Sequence, residues 1–110
     1  MIGIEDKIND QPIGIIIDVW ESHSYITPNL VEIFKLNKIK HDNSWLVQLV
    51  IGTKRRINEI VKRFSLDMHG LHTYADLNII PLSYYNVLIG MDWLDSHHVM
   101  LYFHNKTHFS

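Results

Sequence analysis

The residue that could act most directly in chemistry is Asp18, which stands at the end of an apolar run. Residues 13–17 read Ile-Gly-Ile-Ile-Ile and follow a turn signal at 9–12. A short apolar run bounded by turn residues is typical of a strand buried on both faces. A carboxylate at the tip of such a strand is either a turn residue or a functional acid. The run alone leaves both interpretations open.

Two other groups of residues lack the arrangement that their chemistry would need. Ser22, His23 and Ser24 are adjacent in sequence, whereas the members of a nucleophilic triad come from distant segments. Of the eight histidines, one pair is three residues apart and another pair is adjacent. Neither pair provides the three or four convergent ligands that zinc needs. We therefore predict no metal site and no cofactor.

Composition indicates one globular domain over residues 1–110, of which 46% are hydrophobic. The formal charge is -2 and no binding motif is present, so direct nucleic-acid binding is not expected. Acidic residues near the N-terminus interrupt any signal peptide, and no apolar run reaches membrane-spanning length. The absence of cysteine excludes disulfides and favours a reducing compartment. We expect a cytoplasmic protein with no membrane association.

Residue periodicity predicts about eight short strands and two short helices. Thr27 as N-cap and Pro28 at the first helical position predict a helix over residues 28–36, and 91–97 can form a second. Residues 37–44 are predicted to be a surface loop and 52–56 a turn. The predicted strands are 2–8, 13–18, 45–51, 57–64, 64–68, 77–79, 85–89 and 99–103. Turn signals recurring roughly every 8 to 12 residues favour an all-β sandwich or barrel.

Two segments together carry a resemblance to a known family. In the first, Asp18 is followed after three residues by Ser-His-Ser-Tyr-Ile at 22–26; the second is Asn-Val-Leu-Ile-Gly-Met-Asp-Trp-Leu at 86–94. Between and after them lie residues 76–82 and 105–107 in matching order. This pattern resembles the retropepsin-like aspartic protease domain of gypsy-type LTR retrotransposon polyproteins, in the form common in plants. The resemblance extends over residues 2–109.

The resemblance implies an all-β fold, a closed barrel-like lobe with one or two short helices. It also implies a symmetric homodimer with the active site on the two-fold axis. The remaining aspartates in the C-terminal half lack the Ser or Thr and then Gly that should follow a catalytic acid: Asp67, Asp76, Asp92 and Asp95. One chain therefore supplies one candidate catalytic residue, Asp18, and only a dimer could supply a pair.

Paired Asp18 carboxylates would use water to cleave a peptide or polyprotein substrate. Two carboxyl groups within hydrogen-bond reach of one water cannot both be ionised, so the pair holds one proton. The ionised member takes a proton from water, and the protonated one donates to the peptide carbonyl. In the family the acid is followed by Ser or Thr and then Gly, whereas here Val19 and Trp20 follow it. Glu21 and Ser22 complete the active-site loop.

These two replacements lead us to expect weakened or lost activity. Val19 has no hydroxyl, and Trp20 places a ring that buries on the order of 200 Å² where the family has a hydrogen atom. If the turn needs a backbone angle that only glycine tolerates, Trp20 would cost roughly 1–2 kcal/mol more. Glu21 adds a second acid beside the two-fold axis.

The family also implies a flap, a hairpin that closes over substrate. It falls on Gly52, Thr53, Lys54, Arg55 and Arg56. The alternative interpretation of these residues is an ordinary solvated turn, and the sequence does not favour either the flap or the turn.

A supporting segment behind the catalytic loop is implied at Ile89, Gly90, Asp92 and Trp93. We expect Asp92 to be structural, since its charge suits the first turn of a helix.

Three functions remain open from the sequence. The first is a retrotransposon-derived aspartic endopeptidase domain, located in the cytoplasm or within retrotransposon particles, whose site is impaired or inactive. The second is a non-catalytic dimerisation or peptide-binding module that keeps the fold. The third is a decaying gene product with no selected function.

Overall fold

The computed structural model describes residues 2–8, 10–48, 54–68 and 70–97, which are mostly β structure with two short helices. The elements are β1 Ile2–Ile8, β2 Gln11–Ile17, β3 Tyr25–Ile26, α1 Pro28–Ile33, β4 Ile39–Gln48, β5 Lys54–Met68, β6 Leu71–Ile79, β7 Val87–Ile89 and α2 Met91–His97. The predicted all-β class is confirmed. No helix in the described part of the chain is long and apolar enough to cross a membrane.

The seven strands form one sheet in the order β1-β2-β7-β3-β6-β5-β4. Closing a sheet into a barrel requires its two end strands to pair with each other. Here β1 pairs with β2 and β4 pairs with β5, and among the described residues β1 and β4 do not pair. The expected closed barrel is therefore wrong: the described residues form an open sheet with β1 at one end and β4 at the other.

Strands β2 and β7 are neighbouring interior strands of the sheet and are parallel, with Ile16 opposite Leu88. Their β-branched and leucine side chains are buried on both faces, as the apolar run predicted. The larger buried cluster includes Ile15, Ile17, Val61, Leu77 and Ile89. A second cluster on the other face consists of Ile16, Tyr25, Ile57, Ile80 and Leu88, with Trp45, Val47 and Leu82 packed against it.

The two helices begin where the sequence predicts. Pro28 occupies the first helical turn, and Thr27 is the extended N-cap residue, although its side chain makes no capping hydrogen bond. Helix α1 ends at Ile33 rather than residue 36, since Lys35 has a left-handed φ of 50° that stops the helix. Helix α2 spans the predicted residues 91–97.

The hairpin of β4 and β5 departs most from the predicted elements. Residues 39–44 lie in β4 instead of a loop, and Lys54, Arg55 and Arg56 lie in β5 instead of a turn. Seven of the ten β4 residues are exposed and the other three are partly buried, so the strand has no buried face to produce the alternation that marks a strand in sequence. Gly52 and Thr53 lie outside the described residues.

The two predicted strands 57–64 and 64–68 are one strand, β5, with a bulge inside it. Pairing with β6 shifts between Val61 and Phe64, and Arg63 takes a positive φ of 53° there. The Arg63 N–H donates to Asp76 Oδ1 at 2.9 Å, which replaces the lost ladder bond. The bulge keeps Phe64 facing the core after Val61.

The remaining strand predictions differ at their ends. Strand β6 begins at Leu71, earlier than the predicted 77–79, and β7 begins at Val87 rather than residue 85. The predicted strand 99–103 lies outside the described residues.

Candidate active site

Asp18 follows β2 directly and lies at the end of the parallel pair formed by β2 and β7. Its N–H donates to the carbonyl of Ile89 at 2.9 Å, which continues the parallel pairing of β2 with β7. The Glu21 N–H donates to the Asp18 carbonyl at 3.2 Å and closes a turn over residues 18–21. Asp18 is only 3% exposed. The sheet therefore fixes the backbone N–H of the predicted catalytic residue, and the turn fixes its carbonyl.

The Asp18 carboxylate is held by the same turn. The Trp20 N–H donates to Asp18 Oδ1 at 2.9 Å, a bond that fixes the orientation of the carboxylate. A carboxylate held in this way can act as an acid or a base toward a water molecule, and it needs a second acid to hold the shared proton.

The side chains after Asp18 point outward. Trp20 is 81% exposed and Val19 is 41% exposed. The non-glycine residues with positive φ in the described part of the chain are Asp10, Lys35 and Arg63. Trp20 is not among them, so the turn imposes no angle that only glycine tolerates. The backbone strain that we expected for Trp20, if the turn needed an angle that only glycine tolerates, is therefore absent. What distinguishes Trp20 from glycine in this turn is its exposed ring.

The catalytic loop is bonded to the segment between β7 and α2. The Met91 N–H donates to the Glu21 carbonyl at 2.7 Å, and the Asp92 N–H donates to the Ser22 carbonyl at 3.1 Å. Gly90 makes this approach possible, because a Cβ at its position would lie 2.2 Å from the His23 carbonyl oxygen.

Ser24 joins the two segments from inside. Its hydroxyl donates to Asp92 Oδ1 at 2.7 Å and accepts from the Gly90 N–H at 3.0 Å. The Ser24 N–H donates to Asp92 Oδ2 at 3.2 Å. Ser24 is fully buried. Sequence reasoning set Ser24 aside as a nucleophile and missed this connecting role; the acid early in the helix at Asp92 was the signal that could have indicated a partner.

Trp93 attaches α2 to β6. The ring is buried, and its Nε1–H donates to Tyr74 O at 3.1 Å and to Thr73 Oγ1 at 3.3 Å. The structure thus brings Ile89, Gly90, Asp92 and Trp93 behind the Asp18 loop.

The predicted flap residues divide between described and undescribed parts of the chain. Lys54, Arg55 and Arg56 lie at the beginning of β5 and pair with residues 46–48 of β4. We call this part of the hairpin, residues 45–48 and 54–57, the hairpin arm. The base of the arm contacts the catalytic loop, since the ring centroids of Trp45 and His23 lie 5.7 Å apart. The role of this hairpin as a flap stays a prediction.

The structure offers no ligand set for a metal in the ranges that it describes: no three His, Cys, Asp or Glu side chains converge there.

Tyr25 lies under the site and has a strongly shifted acid–base equilibrium. Its side chain is 1% exposed. Burial, together with the negative charges of Glu21 and Asp92, raises the pKa of Tyr25 from 10.0 to about 12. The folded protein therefore keeps the phenol neutral at pH values where the unfolded chain ionises it.

We expect the free energy of unfolding to fall between pH 10 and pH 12 for this reason. The contribution of Tyr25 is fully present below pH 10 and is lost as the pH rises to the folded pKa of about 12. Two pKa units correspond to at most about 3 kcal/mol. Urea unfolding of wild type and Tyr25→Phe at pH 9 and above should show a smaller loss in the variant. Tyr84→Phe is the control because Tyr84 is 86% exposed; equal pH dependence in all three proteins would contradict the prediction.

Comparison with known proteins agrees with this geometry. No curated protein sequence gives a significant match to the chain. Among solved structures, the retroviral protease-like domain of Ddi1 from Leishmania major is similar with a TM-score of 0.58 and 16% identity, over 89% of this chain and 74% of that one. The EIAV protease, in complex with the inhibitor HBY-793, is similar with a TM-score of 0.61 and 16% identity, over 87% of this chain and 86% of that one. At this identity the likeness shows the fold, which is the all-β retropepsin fold.

The family model described as retroviral aspartyl protease matches residues 4–108. That match includes the Asp18 turn, the hairpin and the segment that holds the turn in place. The chain belongs to the retroviral aspartyl protease family.

Proposed function

We propose that the chain is the protease domain of a gypsy-type LTR retrotransposon polyprotein, that it acts in the cytoplasm as a homodimer, and that its peptidase activity is weakened or lost. The gypsy-type assignment is supported by the motifs at 17–26 and 86–94. The family match over residues 4–108 supports the protease origin.

One observation carries the proposal. Asp18 is buried and held by the Trp20 N–H, while the Val19 and Trp20 side chains of the same turn extend into solvent. The turn thus keeps the carboxylate in a fixed orientation and presents two apolar side chains on the surface directly after it in the chain. One chain supplies one such carboxylate, so the reaction needs a second copy placed across a two-fold axis.

The chemistry would divide between the two Asp18 residues. One, ionised, would take a proton from the attacking water while the other, protonated, would donate to the carbonyl oxygen of the scissile peptide. Two Trp20 rings beside the axis would obstruct the approach of the carboxylates and of the substrate. A displacement of a catalytic group by about 1 Å can lower the rate by ~10².

The same exposed residues support a dimer. Exposed apolar side chains in a cluster commonly mark a surface that another chain covers. A second copy would cover Val19 and Trp20, which are otherwise in contact with water. Sedimentation equilibrium over a range of concentrations tests this step, and a stable monomer at high concentration would contradict it.

We expect wild type to cleave a diverse peptide pool no faster than Asp18→Asn does. Asparagine keeps the shape of Asp18 and an acceptor for the Trp20 N–H, so the comparison isolates the carboxylate. Cleavage products are counted by mass spectrometry after equal incubation of the two proteins. Turnover in wild type that is absent in Asp18→Asn would show a working site and contradict the proposed impairment.

A second candidate function is a dimerisation or peptide-binding module without catalysis. It is favoured by the intact bonds around Ser24, Gly90 and Asp92, which keep the loop in place although the triplet after Asp18 has changed. Peptide binding without turnover would distinguish this function from a working protease.

A further inference from the structure

Charge is distributed unevenly along the chain. Residues 35–56 contain six lysines and arginines and one acid, a net charge of +5. The rest of the chain contains four cations and eleven acids, a net charge of -7, which gives the -2 of the whole. Four of the six cations lie on β4 and β5, namely Lys40, Lys54, Arg55 and Arg56, so a partner of this hairpin is expected to be anionic.

The pairing register sets which of these cations faces the cleft. Arg55 lies opposite Val47, and Ile57 lies opposite Trp45. Residues two apart on a strand point to the same side, so Arg55 shares a side with Ile57. Ile57 is fully buried in the cluster that Trp45 and Val47 pack against.

Asp18 lies on that side of the sheet as well. Ile16, two residues before Asp18, belongs to the same buried cluster as Ile57. The chain stays extended from Ile16 to Asp18, because the Asp18 N–H continues the pairing with Ile89. The side of the sheet that carries this cluster, with the partly buried Trp45, Val47 and Leu82 packed against it, thus also carries Asp18 at the end of β2 and Arg55 on β5.

The adjacent cation points the other way. Arg56 lies opposite Leu46, which is 51% exposed, and its Nη1–H donates to Ser44 Oγ at 3.1 Å. Arg55 donates from Nη1 to the carbonyl of Lys54 at 2.9 Å, a bond within its own strand. The two arginines are neighbours with equal charge on opposite faces of the arm.

We propose that Arg55 selects the ligand of this site by binding a carboxylate of the bound peptide, so that peptides with a glutamate or aspartate beside apolar residues are preferred. The inference rests on the proposed function, since it assumes that peptide lies between the arm and Asp18. An arginine fork matches a carboxylate with two parallel hydrogen bonds, which gives direction as well as charge. The partly buried Trp45, Val47 and Leu82, which pack against the Ile16 and Ile57 cluster, are the apolar side chains that the residues beside the carboxylate would contact.

The test uses a peptide library in which each position is fixed in turn as glutamate or as glutamine. Binding is measured for wild type, Arg55→Gln and Arg56→Gln, which lose the same charge from opposite faces. We expect wild type and Arg56→Gln to prefer glutamate at one position by about tenfold, and Arg55→Gln to lose the preference, as hydrogen bonds to charged groups are of that strength. Arg55→Glu should instead prefer lysine at that position.

Three outcomes would overturn the inference. Equal losses in Arg55→Gln and Arg56→Gln would mean that net charge alone attracts the peptide. A glutamate preference that survives Arg55→Gln would place the selecting group elsewhere. A single-stranded oligonucleotide is also tested as a competitor of peptide binding. If it competes equally in wild type and Arg55→Gln, and no peptide is preferred, the hairpin is a surface that binds nucleic acid as an anion. Failure of wild type to bind any peptide would count against the proposed function itself. A failure of the proposed function is therefore distinguishable from a failure of the inference about Arg55.

Discussion

Replacing Gly90 with alanine is expected to destabilise the fold strongly. An added Cβ would lie 2.2 Å from the His23 carbonyl oxygen and 2.7 Å from the Glu21 carbonyl oxygen. Both atoms are backbone, so no side chain can rotate away. The Met91 N–H holds the Glu21 carbonyl at 2.7 Å, so relieving the contact would break the bonds between the two segments.

The expected cost is large relative to the stability of a chain of this size. Overpacking costs about 1–3 kcal/mol where side chains can adjust and more where they cannot, while whole domains have about 5–15 kcal/mol. We expect Gly90→Ala to lose about 3 kcal/mol or more in urea unfolding. Gly3→Ala is the control, since the nearest atom to its added Cβ is a Tyr85 ring carbon at 3.9 Å. A Gly90→Ala protein as stable as Gly3→Ala would contradict the close approach.

Glycine at this position explains why one motif of the sequence was informative. The segment Ile89-Gly90-Met91-Asp92 requires a residue without a side chain, an acid that accepts from Ser24, and a helix that begins at once. These are local requirements with a specific residue type at each position. The helix at 91–97 and the end of β2 at Ile17 follow from such local signals, and both were predicted within about one residue.

The hairpin arm could not be predicted in the same way. Strand β4 is stabilised by pairing with β5, the next strand along the chain, and by Trp45 at its base. Polar residues 40–44 carry no periodic pattern because neither face of that stretch is fully buried. Whether the sheet closes into a barrel likewise depends on whether its two end strands pair, and no short segment determines that.

The orientation of Trp20 also depended on the structure. Its residue type suggested a buried ring or a strained turn, whereas the ring is 81% exposed and φ is not positive. The bond from the Trp20 N–H to Asp18 uses only the backbone and is therefore open to any residue except proline. The obstruction that we propose is thus confined to two side chains, which makes it reversible by substitution.

The double variant Val19→Ser plus Trp20→Gly is expected to cleave peptides at least about 100-fold faster than wild type, the scale of rate lost by a displaced catalytic group. Serine restores a hydroxyl that can bond across the two-fold axis, and glycine removes the exposed ring while keeping the N–H that holds Asp18. Cleavage of the peptide pool is measured for the double variant, for each single variant, and for the double variant carrying Asp18→Asn.

The controls separate this cause from others. Tyr84→Ala removes an aromatic ring that is 86% exposed on the loop before β7, while Asp18 follows the opposite end of the paired strand β2. It should leave cleavage unchanged. Cleavage that appears in the double variant and disappears with Asp18→Asn would place the impairment at residues 19 and 20. A double variant that dimerises and stays silent would contradict this explanation, because the Asp18 turn, its bond to Trp20 N–H and its support by Ser24 and Gly90 would then be insufficient for catalysis.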